Sequence, residues 1–97
     1  MAQAGGNGAI LARGDVTAGS VLIVCRERGT LTALLERVWH GERYELARVG
    51  PRLDTDTAES DATDWIDRRL SRDPDLWVVE LDIAESERFA AGIASDG

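Results

Sequence analysis

Pro74 closes the one long amphipathic stretch in this chain, and that boundary constrains the architecture more than any other feature. Ala58, Ala62, Trp65, Ile66 and Leu70 recur on one helical face, with Glu59, Asp64, Asp67 and Arg68 on the other. Asp56 followed by Glu59 has the spacing of a capping box. A proline inside a helix removes a hydrogen bond and collides with the preceding turn, so the pattern predicts a helix from Ala58 to Arg72. A helix with one apolar stripe must bury it against something, and the rest of the chain offers strands.

Leu76 to Leu81, LWVVEL, is the clearest of these. It is β-branched and aromatic, with Trp77, Val79 and Leu81 on one side and Leu76, Val78 and Glu80 on the other. Val21 to Cys25 is apolar on both faces, the pattern of a central strand covered on both sides. An earlier strand begins at Ala9, and Gly14 and Gly19 bracket the loop between the two. Leu31 to Trp39 fits either period. As a helix it groups Leu31, Leu34, Leu35, Val38 and Trp39; as a strand it puts Leu31, Ala33, Leu35, Arg37 and Trp39 on one face. The tight connections Arg28-Gly29-Thr30 and His40-Gly41-Glu42, and the alternating segment Tyr44 to Val49 that follows, favour the strand.

Beyond Asp82 a second capping-box spacing, Asp82 to Glu85, predicts a short helix carrying Phe89, Ala90 and Ile93. The expected fold class is α+β: a two-layer domain with a mainly antiparallel sheet of about five strands, one amphipathic helix packed on it, and a short C-terminal helix. Residues 8–95 form this single domain, and the Gly-rich residues 1–7 form a disordered N-terminal tail. Trp65 on the helix stripe and Trp77 on the strand are expected to pack together and join the two layers.

At 97 residues the chain holds one core and excludes multidomain enzymes and solenoids. The formal charge of -7 is unevenly placed. Residues 1–52 hold seven Arg against five carboxylates, whereas residues 53–97 hold four Arg against thirteen, a half that repels polyanions. The single cysteine, Cys25, allows no internal disulfide, and the start of the chain has neither a basic n-region nor an apolar h-region. The apolar run Val21 to Cys25 is far shorter than a membrane span. These features point to the cytoplasm.

Few residues carry a chemical signal. His40 is the only histidine, sits beside Gly41 in an expected turn, and has no Cys or His at ligand spacing. Cys25 reads as a buried small hydrophobe, because Arg26 points to the other side of its strand. Asp54, Asp56, Asp61, Asp64 and Asp67 match no calcium-loop or zinc pattern and read as a solvated surface, with Asp64 four residues before Arg68. Asp73-Pro74-Asp75 reads as a rigid junction in which an Asp can cap backbone amides. The sharper alternative makes Asp73, Asp75 and Glu80 weak catalytic candidates, acids held near an Arg. Arg13, Arg26, Arg28, Arg37, Arg43 and Arg48 would make a nucleic-acid platform if several met on one face with Trp39 or Tyr44, although the acidic second half opposes this. Phosphate-binding glycine loops and the nucleophile-elbow motif are missing. No cofactor or metal is expected.

Three elements together resemble a family of small proteins of alphaproteobacteria, the DUF1491 family. They are Arg13, Gly14 and Asp15 followed by Ala18 and Gly19 ahead of an apolar strand, the pair Glu36-Arg37 within the next strand, and Asp73-Pro74-Asp75-Leu76-Trp77 before Val-Val-Glu. The resemblance spans about residues 8–95, implies an antiparallel meander through Leu31 to Trp39, and supplies no reaction, cofactor or partner. Family members carry an additional Arg-bearing N-terminal helix where this chain has only Met1 to Asn7. Either the chain starts late, or it lacks that layer and one sheet face is bare.

The functional expectation is a non-enzymatic scaffold or protein-interaction module acting as a homodimer, because several two-sided strands and three Trp exceed what one helix layer covers. The alternatives are a small carboxylate-based hydrolase using Asp73, Asp75 and Glu80, and, ranked third, a nucleic-acid-binding module.

Overall fold

A computed structural model describes residues 7–17, 19–39, 41–83, 88 and 90. Strands β1 (Asn7–Ala12), β2 (Val21–Glu27), β3 (Thr30–Trp39) and β4 (Tyr44–Arg48) come first, then helix α1 (Ala58–Arg72) and strand β5 (Trp77–Asp82). They form one mixed, mainly antiparallel sheet in the order β1-β5-β2-β3-β4, with α1 packed on it. Among the described strands only β2 and β5 run parallel, from Val21 opposite Trp77 to Arg26 opposite Asp82. Parallel neighbours need a long crossover, and here it is β3, β4 and α1 together. β1 and β2, though successive in the chain, are separated by β5.

The two-sided strand β2 is central, as its composition requires. Leu22 and Val24 turn toward the helix and pack with Leu31, Leu34, Leu76, Val78 and Ala62. Ile23 and Cys25 turn the other way, to Ala33, Leu35, Leu81 and Ala90. Period-two alternation thus divides one strand between two cores. The Leu31 to Trp39 ambiguity resolves as strand. Its alternation breaks once, because Cys25 pairs with Ala33 while Arg26 pairs with Leu31, leaving Thr32 as the extra residue of a β-bulge. The Thr32 hydroxyl donates to the Cys25 carbonyl at 3.1 Å. Leu31 therefore lies on the helix side, not on the face of Ala33 and Leu35 where strict alternation put it. At the tip of this hairpin Arg28 and Gly29 both have positive φ, 51° and 81°, the two-residue turn whose twist matches the strands.

The helix has the bounds its stripe predicts. Its capping box does not form: Thr57 is the N-cap, its hydroxyl donates to the Asp61 carboxylate at 2.8 Å rather than capping a backbone amide, and Glu59 binds Arg26. The expected meeting of Trp65 and Trp77 also fails. Trp65 packs in the helix-side core, whereas Trp77 lies with Val79 on the opposite sheet face, and Leu76 and Val78 are the residues of this segment that meet the helix. Both faces of Leu76 to Leu81 are apolar, so periodicity alone could not orient it. The predicted C-terminal helix lies mostly outside the described residues; Ala90, within it, is fully buried.

Candidate functional site

Neighbouring residues of a strand point to opposite faces, and Glu36 and Arg37 divide the molecule's polar chemistry accordingly. Glu36 faces α1, where Arg69 donates to it from both Nη atoms at 2.6 and 2.8 Å. Those hydrogen bonds, against the opposing effect of burial, hold the Glu36 carboxyl below its ordinary value and the Arg69 guanidinium above. At the other end of the helix the polarity is reversed. Arg26 of β2 donates to both carboxylate oxygens of Glu59 at 2.8 and 2.9 Å, and through Nε to Glu80 at 2.9 Å. The acid sits in the first turn of α1 and the base near its last, each favourable with the helix dipole. Two bidentate pairs therefore pin the helix to the sheet at both ends.

The candidate carboxylates enter this framework separately. Glu80 belongs to the Arg26 cluster. Asp73 ends α1: its amide donates to the Arg69 carbonyl, its carbonyl accepts the Leu76 amide, and its carboxylate lies 3.8 Å from Arg69. Asp75 is exposed, and its carbonyl accepts the Asp15 amide at 3.0 Å. Asp75 lies in the turn before β5, and Glu80 is the fourth residue of that strand. They do not form an acid pair; Asp73 and Asp75 make the junction. Among the described residues no three His, Cys, Asp or Glu gather as a metal site. His40 lies outside the described residues.

Arg37 faces the other way, into a cleft that residue-by-residue reading of the sequence did not assemble. Trp39 and Tyr44 are cross-strand partners at the end of the β3-β4 hairpin, ring centroids 5.0 Å apart and planes at 62°. Arg37, two residues back, reaches diagonally to lie 4.1 Å from the Tyr44 centroid. The facing wall is Trp77 with Asp15, Val16, Thr17, Gly19 and Ser20 of the loop before β2. Trp77 is held twice, by its amide on the Ser20 carbonyl at 2.8 Å and by its indole Nε1 on the Asp15 carbonyl at 2.9 Å. The loop can approach because Gly14 and Gly19 lack side chains; a Cβ on either would overlap the Asp75 carbonyl. The cleft is open to solvent and holds about 470 Å³, with Val21 and Val79 among its lining residues.

The cleft had one visible signal, a cation and a Trp, Arg37 and Trp39, on a strand face otherwise made of Ala33 and Leu35. Of the arginines considered for a platform, Arg26 is committed to the helix side and Arg43 to Glu45, while Arg37 lines the cleft and Arg48, opposite Leu35, shares its sheet face.

The sheet, the helix clamped on it and this cleft define a small α+β domain in which described residues of all three sequence elements singled out above meet near the start of β5. The chain belongs to the DUF1491 family, described as protein of unknown function, whose model matches residues 1–91. An NMR structure of a DUF1491 protein from Caulobacter crescentus CB15 is similar with a TM-score of 0.63 and 30% identity, over 84% of this chain and 73% of that one. A crystal structure of a DUF1491 protein from the same organism gives a TM-score of 0.67 at 25% identity, over 84% and 71% of the two chains. A solution structure of a protein from A. tumefaciens gives 0.60 at 24%, over 82% and 72%. No curated protein matches.

Proposed function

We propose that this protein is a non-enzymatic interaction module that acts as a homodimer, and that two copies meet through the outer edge of β1. The observation that carries this is the character of that edge. Asn7–Ala12 has no charged residue and no proline, its outer side carries no strand among the described residues, and Ile10 and Leu11 are 51% and 54% exposed. Edge strands that remain monomeric are protected by charge, proline, bulges or cover; among the described residues this one carries no charge, proline or covering segment, and its one interruption is the register shift at Leu11. Antiparallel pairing of β1 with itself is isologous, so one strand satisfies both sides of a twofold interface. Two protomers of charge -7 repel elsewhere, and a neutral edge is where they can approach.

The non-enzymatic part is supported by the duties of the candidate carboxylates: Glu80 binds Arg26, and Asp73 and Asp75 build a turn. The cytoplasm suits a chain with one cysteine, buried in the core. Light scattering across micromolar concentrations is expected to give about twice 10.5 kDa, and Leu11→Lys is expected to give a folded monomer. A wild-type monomer throughout would overturn the reading.

A further inference from the structure

The geometry points to the cleft between Trp77 and the β3-β4 hairpin as a binding site for a small molecule made of a planar apolar ring and one carboxylate. This surface is distinct from the β1 edge, so the inference stands apart from the dimer. Three observations carry it.

Arg37 is the first. Arg26 and Arg69 each grip a carboxylate with two parallel N–H···O bonds. Arg37, half-buried in the cleft, stacks on Tyr44 and has no carboxylate partner among the described residues. A guanidinium lying on an aromatic face keeps its edge N–H groups for an acceptor in its own plane, and a carboxylate matches that fork.

The walls are the second. The Trp77 indole is fixed by its bond to the Asp15 carbonyl, and Trp39 stands at the rim 58% exposed. A rigid aromatic and an exposed one, with Val21 and Val79 beneath, suit a flat apolar group. The lining acid, Asp15, has its Oδ2 on the Thr17 amide at 3.2 Å, so that oxygen is engaged within the loop.

Size and charge are the third. About 470 Å³ falls in the range of small-ligand sites. The chain's charge of -7 and the lining Asp15 disfavour a polyphosphate, whereas a single carboxylate can be met by Arg37, the one cation among the lining residues.

The test follows the Trp77 indole N–H and the Arg37 Nε–H by nitrogen-edited NMR during titration of the full chain with 2-naphthoate, 2-naphthamide, and a short peptide ending in Phe with a free carboxylate. Saturable shifts of both signals with 2-naphthoate, and binding at least about tenfold weaker for the neutral amide, are expected. Arg37→Gln is expected to erase that difference while the spectrum stays dispersed, and Trp39→Ala, at an exposed rim position, to weaken both ligands equally. Equal affinity for acid and amide in the wild type would overturn the role of Arg37 without needing any variant. The absence of saturable shifts at millimolar ligand would overturn the site. Tighter binding of the peptide than of 2-naphthoate would replace the small molecule with a protein terminus as the occupant.

Discussion

The two faces of the sheet are built from the same strands and finished differently. The helix face is closed. Leu22, Leu34, Leu76 and Val78 are at most 1% exposed, and the bidentate pairs Arg26-Glu59 and Arg69-Glu36 fasten α1 at both ends. The opposite face is buried around Cys25, Ala33 and Leu81 and opens at its other end into the cleft of Arg37, Tyr44 and Trp77. On the helix side Arg26, Arg69, Glu36, Glu59 and Glu80 each have a charged partner, whereas the cation of the open end rests on a ring. The difference teaches that a half-buried arginine serves stability where a carboxylate meets it, and is available for recognition where none does.

The sharpest way to break the closed face is Leu34→Ala or Leu76→Ala. Each side chain is almost wholly buried, so each change is expected to cost about 2–5 kcal/mol in urea unfolding. That is a large share of the roughly 5–15 kcal/mol typical of a domain. Val79→Ala on the open face, where the side chain is only half-buried, is expected to cost clearly less. Equal losses would mean that the faces are not distinct. Gly14→Ala tests the wall instead. The overlap of its Cβ with the Asp75 carbonyl is expected to cost about 1–3 kcal/mol and to shift the Trp77 indole resonance.

Next come the clamps. Glu36→Gln leaves the Arg69 guanidinium, 20% exposed, with only the more distant Asp73 carboxylate at 3.8 Å, and the expected loss is about 1–3 kcal/mol. Glu59 is 61% exposed and Arg26 keeps Glu80, so Glu59→Gln is expected to cost less than about 1 kcal/mol. The Glu36 pair also predicts a pH dependence. Its carboxyl titrates lower in the folded chain than its ordinary 4.5, first through the hydrogen bonds from Arg69. The unfolded chain therefore takes up the proton first as pH falls, so this stabilisation is complete above the ordinary value and drains away as pH drops through the folded one. Urea midpoints between neutral pH and the carboxylate range are expected to fall less steeply with acid in Glu36→Gln than in the wild type. The smallest effect is Trp39→Ala, which is expected to change stability by no more than about 0.5 kcal/mol because the ring is mostly exposed.

Much of this was legible beforehand. The approximate extent of the helix was readable because its stripe, polar first turn and Pro74 act within a few residues of one another, although its N-cap is Thr57 and not Asp56. The strand reading of Leu31 to Trp39 rested on neighbouring turns, and Arg28-Gly29 makes such a turn. The cleft was not readable. Asp15, Arg37, Tyr44 and Trp77 come from distant segments, and nothing local in any of them announces the others. The pairing of Trp65 with Trp77 failed for a related reason, since a strand that is apolar on both sides has no preferred face until its neighbours are chosen.

The sequence by itself therefore determined the identity of the elements, because period, turn chemistry and proline act through local backbone sterics. It also determined that β2 must be central, because an unbroken apolar run has no polar face to give to water. Only the tertiary structure decided that β5 slots between β1 and β2, that Thr32 bulges and sends Leu31 to the helix, and that Glu36 and Arg37 serve opposite faces. Those choices depend on which distant segments pair and in what register, a free energy summed over both cores and both ion-pair clamps that no single stretch of the chain contains.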